Sequence, residues 1–407
     1  MVMVRPFRAL RPPKERVELV AAVPYDVVNS EEARALAANN PWSLLHITRP
    51  EIDLSEDTNI YDNAVYAKAV ENFFWLQNEC PLNEEQQPSL YIYRLRMGEQ
   101  VQTGVVGCCS IDEYDTDVIR KHERTRQDKE DDRTRHTVTL RVQTEPVFLT
   151  YRGQATIDTL VAQIVETEPL YDFVTVDGIT HTLWRVPSCD ALETAFRSVP
   201  LLYVADGHHR SASASRARAH LRGQNPQHGG EEEYNFLLAV MFPAEQLRIM
   251  PYNRVVRDLH GRSETDFLEA VKEHFIVSTN ASPTPVRRGE FSMFLWDQWY
   301  GLVPKTAVDL ENVITSLDVS VLQNRLLAPV LGIHDPRTDK RIDFVGGIRG
   351  TNELELLVTS RKFAVAFSLY PTTIEDLMRV ADAGEIMPPK STWFEPKLRS
   401  GLFMHAI

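Results

Sequence analysis

At 407 residues, 43 % hydrophobic and 25 % charged, the chain can bury a sizeable core and is long enough for two domains. A formal net charge of −13 argues against a broad nucleic-acid footprint, which needs a basic surface, but allows a local basic pocket for a small anion. Four cysteines are too few for a disulfide framework and read as reduced thiols. No segment approaches the roughly 20 apolar residues of a membrane span, so a cytoplasmic location is expected.

In chain order, Val17 to Val23 reads as a strand ending at Pro24-Tyr25-Asp26, which puts a carboxylate at a strand end. Ser30 caps a helix over residues 31–38, stopped by Asn39-Asn40-Pro41. Tyr61 to Asn78 carries Ala64, Val65, Ala69, Phe73 and Leu76 at helical spacing. Residues 90–95 and 103–111 form a hairpin across Met97-Gly98. Residues 112–137 are highly charged, and 146–151 are a strand. Leu201 to Ala205 is a buried strand, Asp206-Gly207 a tight turn, and a helix follows from Ser211. Residues 222–233 read as a surface loop. Beyond it come a buried strand (235–242), a helix (266–275), paired strands (291–303) and an amphipathic helix (319–331). A strand (363–369), a helix (372–383) and a proline-rich extended close (387–397) complete the chain. The pattern is mixed α/β. A core over residues 1–225 and a second α+β region over 235–407 are expected, the Pro-Pro-Lys-Ser-Thr segment of the latter returning to the site.

The strand–turn–helix around Asp206-Gly-His-His-Arg210 is the richest segment. A helix start offers unpaired N–H groups and the positive end of the helix dipole, so it attracts anions. Gly207 admits close backbone approach, and His208, His209 and Arg210 add donors and charge. Such junctions are mostly structural, but a purely structural turn does not need three clustered cationic or titratable groups. Adjacent histidines diverge on either a helix or a strand, which disfavours a shared metal.

Residues 120–136 form a second charged feature. If helical throughout, His122, Arg126, Lys129, Arg133 and His136 share one face. A solvated helix with internal salt bridges is the plainer alternative. His122-Glu123 opens like a zinc-protease motif, but residue 126 is arginine, so the two-histidine spacing fails. Lys390, Ser391 and Thr392 place an ammonium and two hydroxyls in an extended loop, suited to phosphate or substrate, with a plain surface charge at Lys390 as the alternative. The chain has neither a Gly-x-x-x-x-Gly-Lys-Ser/Thr phosphate loop nor the protein-kinase signature set.

Arg5-Pro-Phe-Arg8, Pro24-Tyr-Asp-Val-Val28, Lys121-His-Glu123 with Asp132-Arg133, Val204-Ala-Asp-Gly-His-His-Arg210, Pro251-Tyr-Asn-Arg254 and Pro388-Pro-Lys-Ser-Thr392 together resemble the prokaryotic family called domain of unknown function 1015, whose members often carry a ParB-like label. The resemblance spans nearly the whole chain. More distantly, the Asp-Gly-His-His-Arg box is similar to the phosphate-binding box of the ParB/sulfiredoxin superfamily, which includes chromosome-partitioning proteins, sulfiredoxin and free-serine kinases. This implies a ParB/sulfiredoxin-like core with additional strands and helices, and a nucleotide or phosphate at the helix N-terminus. Sulfiredoxin has its catalytic cysteine in this box. Here that position is His208, which puts sulfiredoxin chemistry in doubt. The serine kinases have histidines in the box and take a base from an earlier strand end, a position that Asp26 matches loosely.

The expected function is therefore a small-molecule phosphotransferase, kinase-like, acting on free serine or a similar hydroxyl compound with a nucleotide or pyrophosphate donor. Asp26, Asp206, His208 and His209 are the catalytic candidates. Gly207, Arg210, Ser211, His122, Glu123, Lys129, Arg133, Lys390, Ser391 and Thr392 are the phosphate or substrate contacts. Mg²⁺ with ATP or ADP is the expected cofactor set, with no residues singled out as metal ligands. Expected partners are a small-molecule substrate and a nucleotide, with neither membrane nor nucleic acid. One alternative is a ParB-like nucleotide-responsive DNA-binding or partition protein, opposed by the charge. Another is a phosphatase or nucleotide hydrolase, since transfer to water and to another hydroxyl use the same groups.

Overall fold

The longest apolar runs of the chain become the inner strands of its sheets. The computed structural model describes residues 2–407, which divide into two units. The first comprises the chain up to Lys121, Thr125–Leu247 and Pro396–Ile407, and the second His122–Arg124 and Arg248–Glu395. The division expected at 225–235 falls inside the first unit instead, because the strand directly after it lies within that unit's main sheet.

That sheet is nine-stranded and mixed. Its main strands are β1 (Tyr91–Met97), β2 (Gln100–Ser110), β3 (Ile119–Arg120), β4 (Val147–Tyr151), β5 (Tyr171–Val174), β6 (Thr180–Arg185), β7 (Leu202–Asp206) and β8 (Phe236–Pro243). Their spatial order is β3-β7-β4-β8-β2-β1-β6-β5, and Val4–Arg5 pairs with Cys109 and Cys108 of β2. Met97 faces Gln100 across the β1–β2 turn, where Gly98 takes a φ of 58°, as two-residue hairpins require. β8 runs parallel to β4, and β7 parallel to β3. Every residue of β8 is buried, as its unbroken apolar sequence demands of a strand covered on both faces.

Four helices of this unit build or flank its polar centre: α1 (Leu45–Thr48), α2 (Asn63–Glu79), α3 (Gln127–Leu140) and α4 (His208–Gln224). Asp62 caps α2 by accepting the Ala64 N–H at 2.8 Å. α2 buries Val65, Tyr66, Ala69, Phe73 and Leu76; Tyr66 replaces Ala64 in the expected stripe because its hydroxyl reaches Asp132 Oδ1 of α3 at 2.8 Å. The last residues return to this unit. Met404–Ala406 pairs with both Ala9–Arg11 and Val142–Gln143.

Several expected elements change. Residues 17–23 do not form a strand. Between Pro13 and Pro24 the chain makes a 3₁₀ turn and one α-helical turn, Val17–Val20, burying Val17 and Val20 at helical spacing. Asp26 accordingly sits in a 3₁₀ turn, Tyr25–Val27, not at a strand end. The next helix, Ser30–Ala37, is capped by Asn29 rather than Ser30: Asn29 Oδ1 accepts the Glu32 N–H and the Glu32 carboxylate accepts the Asn29 N–H, each at 2.9 Å. α3 starts at Gln127, so His122 and Arg126 do not share its face. α4 starts at His208 instead of Ser211 and runs on through Gln224, into the expected loop.

The second unit carries a six-stranded sheet. Its strands are β9 (Tyr252–Val256), β10 (Phe275–Thr279), β11 (Phe291–Leu295), β12 (Gln298–Pro304), β13 (Ile342–Gly346) and β14 (Val365–Leu369). The order is β10-β12-β11-β14-β9-β13, and all pairs are antiparallel. Val255, Phe294, Trp299 and Leu354 belong to its core. The expected helix over 319–331 is an α-helical turn, Asp318–Leu322, that widens into a π-helical Gln323–Leu327, with Val321, Leu322, Leu326, Leu327 and Val330 all buried. The proline-rich close contributes a strand, Trp393–Glu395, that pairs with Arg248–Met250. No helix among the described residues is long and apolar enough to cross a membrane.

The closeness of β2 and β8 gives a direct check. A Cβ on Gly104 would meet both the Met241 carbonyl oxygen and the Phe242 ring at 2.8 Å. Gly104→Ala should cost about 1–3 kcal/mol through overpacking. In urea unfolding the midpoint should fall at unchanged slope; an unshifted midpoint would mean the two strands do not pack this closely.

Candidate functional site

β7 ends at Asp206, and the chain turns through one residue before α4 begins. That residue, Gly207, has a φ of 97°, a conformation that side-chain-bearing residues resist. It stands at the N-cap of α4 and no side chain caps this helix. A Cβ here would also press on the Arg210 guanidinium at 3.1 Å. The backbone angle calls for glycine, and the arginine folded back over it would crowd a Cβ as well.

Arg210 is 8 % exposed. Its Nη1 donates to the Pro146 carbonyl at 2.5 Å. Its Nη2 lies 3.7 Å from Asp26 Oδ2 and 4.0 Å from Asp206 Oδ1, and its Nε is buried without a hydrogen-bond partner. Burial disfavours the cation, but Asp26, Asp206 and Glu145 outweigh it and raise its pKa. Arg210, Arg133, Glu145 and His136 line a cavity of about 30 Å³, room for one water-sized group.

The three carboxylates differ. Burial pushes Asp206 up, but Lys397 and Arg210 prevail and hold it below the usual carboxylate range; Lys397 Nζ lies 2.9 Å from Asp206 Oδ2. Glu145 is buried and its pKa is raised by that burial, against the pull of Arg210. It accepts the Tyr25 N–H at 3.0 Å and the Ser400 hydroxyl at 2.9 Å. Asp26 is the exposed member of the three.

Several of the neighbouring expected groups are already engaged. Arg133 is 8 % exposed, pairs with Asp132 through Nε at 2.9 Å and Nη2 at 2.8 Å, donates to the Thr48 carbonyl at 3.1 Å and lies 4.3 Å from the Tyr25 ring centroid. Lys129 sits 5.6 Å from the Tyr61 ring. Ser211 is buried, its hydroxyl donating back to the Gly207 carbonyl at 3.2 Å. His208 is buried, and burial lowers its pKa to about 3, so the imidazole is neutral at physiological pH. His209 accepts the Arg126 N–H on Nε2 at 3.1 Å. Arg126 is the N-cap of α3, and its own side chain turns to Asp128. One histidine of α4 therefore supports the start of α3.

The first unit brings together Asp26, Asp206, Gly207 and Arg210 from the expected set, and adds Tyr25, Glu145 and Lys397. The sequence held one signal for Glu145: an acid directly ahead of the apolar run 146–151. Lys397 had none, since its partner is 191 residues away. His122, Glu123, Lys390, Ser391 and Thr392 of the expected set belong to the second unit. There the His122 carbonyl accepts the Met387 N–H at 2.8 Å, and Glu123 comes next, partly exposed. Lys390 has a φ of 57°. Its Nζ lies 5.5 Å from the Tyr252 ring, and its carbonyl accepts Arg254 Nη2 at 3.0 Å. Arg254 is buried, which lowers its pKa to about 10. Ser391 donates to the Pro388 carbonyl at 2.6 Å, and Thr392 is partly exposed. The Pro-Tyr-Asn-Arg and Pro-Pro-Lys-Ser-Thr segments thus meet through Arg254.

The sequence matches the family model of proteins of unknown function DUF1015 over residues 4–320. The chain belongs to the DUF1015 family. No curated protein matches it. Among solved structures, a free serine kinase in complex with AMP is 12 % identical to this DUF1015 protein, with a TM-score of 0.38 over 73 % of this chain and 91 % of the kinase. SbnI with a C-terminal truncation, from Staphylococcus aureus, is 11 % identical, with a TM-score of 0.38 over 74 % of this chain and 87 % of its own. A conserved hypothetical protein from Pyrococcus furiosus is 13 % identical, with a TM-score of 0.35 over 73 % and 94 %.

Two outcomes are expected of the DUF1015 chain. Removing Arg210 leaves three carboxylates facing one another, so Arg210→Ala should cost about 3–5 kcal/mol in urea unfolding. A loss of only about 0.5 kcal/mol, typical of a surface site, would contradict its role at the centre of the cluster. The second concerns pH. An unfolded histidine titrates near 6.5, and His208 near about 3 when folded. His136 and His181 are likewise lowered by burial, to about 4 and about 3. Between these limits the unfolded chain binds protons that the folded chain does not. This stabilisation is complete above about pH 6.5 and is lost as the pH falls towards 3. His208→Asn should reduce the fall in stability between pH 7 and pH 5; an identical fall would show that His208 titrates normally.

Proposed function

We propose that the β7–α4 junction binds phosphate groups and that the protein is a small-molecule phosphotransferase with a ParB/sulfiredoxin-like phosphate-binding core. The carrying observation is the helix start itself: a 17-residue helix without a side-chain cap, entered through left-handed Gly207, with the buried, unpartnered Nε of Arg210 beside it. The first N–H groups of a helix have no intrahelical acceptor, and its dipole favours negative charge there. A nucleotide phosphate is a ligand of matching chemistry.

Asp26 is the base in this reading. It is exposed, and its nearest cation is Arg210 at 3.7 Å. Asp206 suits the task less, because its ion pair with Lys397 keeps it ionised and occupied. Glu145 is buried. As the acceptor's hydroxyl oxygen bonds to the terminal phosphorus, its proton passes to Asp26, and the bond to the leaving phosphate breaks with its electron pair on the leaving oxygen. ATP or ADP is the donor, and a small hydroxyl compound such as free serine the acceptor. Mg²⁺ would be held mainly by the nucleotide's phosphate oxygens and would neutralise their charge, leaving Asp26 to take the proton. Neutral His208 and engaged His209 then shape the turn rather than carry protons.

The test combines calorimetric ADP titration with phosphorus NMR of products from ATP or ADP and a panel of hydroxyl acceptors. Asp26→Asn keeps the shape but not the proton acceptor. Nucleotide affinity should stay within about twofold while turnover falls by about 10²–10⁴. Normal turnover in Asp26→Asn would remove Asp26 as base, and failure of the wild type to bind nucleotide would overturn the phosphate site.

A further inference from the structure

A larger pocket lies elsewhere in the first unit. Its volume is about 370 Å³, near the lower end of the roughly 300–1,000 Å³ range of ligand pockets. It has no lining residue in common with the cavity at Arg210. One wall is a single face of α2, where Lys68, Glu71, Asn72 and Trp75 recur at i, i+3, i+4 and i+7.

Joined to this face through Asn72, His46 and Asp53 form a polar floor. His46 Nδ1 lies 2.9 Å from each Asp53 oxygen, and its Nε2 lies 3.2 Å from the Asn40 carbonyl. Both ring nitrogens face acceptors, which favours the protonated ring, and the hydrogen bond to Asp53 raises its pKa above the usual histidine value. Asn72 Nδ2 donates to the His46 carbonyl at 2.6 Å and to Asp53 Oδ2 at 2.7 Å. With both amide hydrogens used, Asn72 cannot flip, and its Oδ1 remains as an acceptor of fixed orientation.

The rest of the α2 face is adaptable. Lys68 pairs with Glu71 at 2.8 Å, but Glu71 is 69 % exposed, and such surface pairs are weak. Lys68 can turn to a bound anion at little cost. Trp75, 41 % exposed, supplies a flat apolar wall alongside Ile47 and Leu76.

We propose that this pocket binds a small zwitterion with an apolar body, an α-amino acid with an aromatic or large aliphatic side chain. Its ammonium meets Asn72 Oδ1 and the Glu71 carboxylate released by Lys68, its carboxylate meets Lys68, and its side chain lies on Trp75. An amine alone leaves Lys68 without a ligand partner, and a carboxylate alone leaves Asn72 Oδ1 without a donor. The site stands independently of the phosphate site.

The experiment titrates the full chain with L-phenylalanine, followed by saturation-transfer NMR and tryptophan fluorescence. Phenethylamine, 3-phenylpropionate and L-serine are the comparison ligands. Phenylalanine should bind saturably, with each comparison ligand weaker by at least about tenfold. Trp75→Ala, at a half-exposed position, should keep its circular dichroism and lose at least about tenfold in affinity. Lys68→Met should weaken phenylalanine but leave phenethylamine unchanged. No saturable binding of phenylalanine, equal affinity for phenethylamine, or full affinity in Trp75→Ala would overturn the proposal.

Discussion

A guanidinium buried against the start of a helix is the constraint on which the first unit depends. Removing a cation from water costs several kcal/mol unless anions accompany it. Arg210 is accompanied by Asp26, Asp206 and Glu145, which come from three separate stretches of chain. The Pro146 carbonyl and Gly207 complete its surroundings, and Lys397 ties the C-terminal segment to Asp206. The cluster thus fastens the early 3₁₀ turn, the approach to β4, the end of β7 and the return of the chain to one point. Gly207 is what lets the arginine fold back there.

The same arrangement separates the acids by environment, as sites that divide chemical roles do. Asp206 is bound to an ammonium, Glu145 is buried and hydrogen-bonded, and Asp26 is exposed. Only the last combines access with proximity to the helix start. The histidines that give the sequence box its character are absorbed differently. Burial holds His208 neutral, and His209 spans from α4 to the N-terminus of α3.

The mixed α/β class, the β1–β2 hairpin, β8 and the strand–turn–helix at 202–224 were legible because each rests on local pattern: alternation, an unbroken apolar run, or a glycine between a strand and a helix. The strand expected at 17–23 failed for the same reason that made it tempting. The near-continuous apolar run of residues 17–23 suits a buried strand, but Val17 and Val20 stand at the i, i+3 spacing of a helix, and the flanking prolines leave too little chain for the pattern to decide. The charged run at 120–136 looked like one cationic face. Its helix begins too late to include His122, and Arg133 turns inward to Asp132. Arg210 was legible as a charge but not as a buried one. Its burial depends on Asp26 and Glu145, whose sequence separation from it no local pattern encodes. Lys397 was out of reach for the same reason, and the unit boundary was obscured because residues 122–124 and 396–407 each leave the order of the chain.

The proposal turns on whether the α4 N-terminus recognises phosphate rather than the rest of a nucleotide. Calorimetric titration of the intact protein with ADP and with adenosine, side by side at fixed ionic strength, tests it directly. ADP should bind at least about tenfold tighter than adenosine, since charged hydrogen bonds to phosphate are worth roughly 1.5–3 kcal/mol each. Equal affinity for the two, or binding of neither, would contradict it.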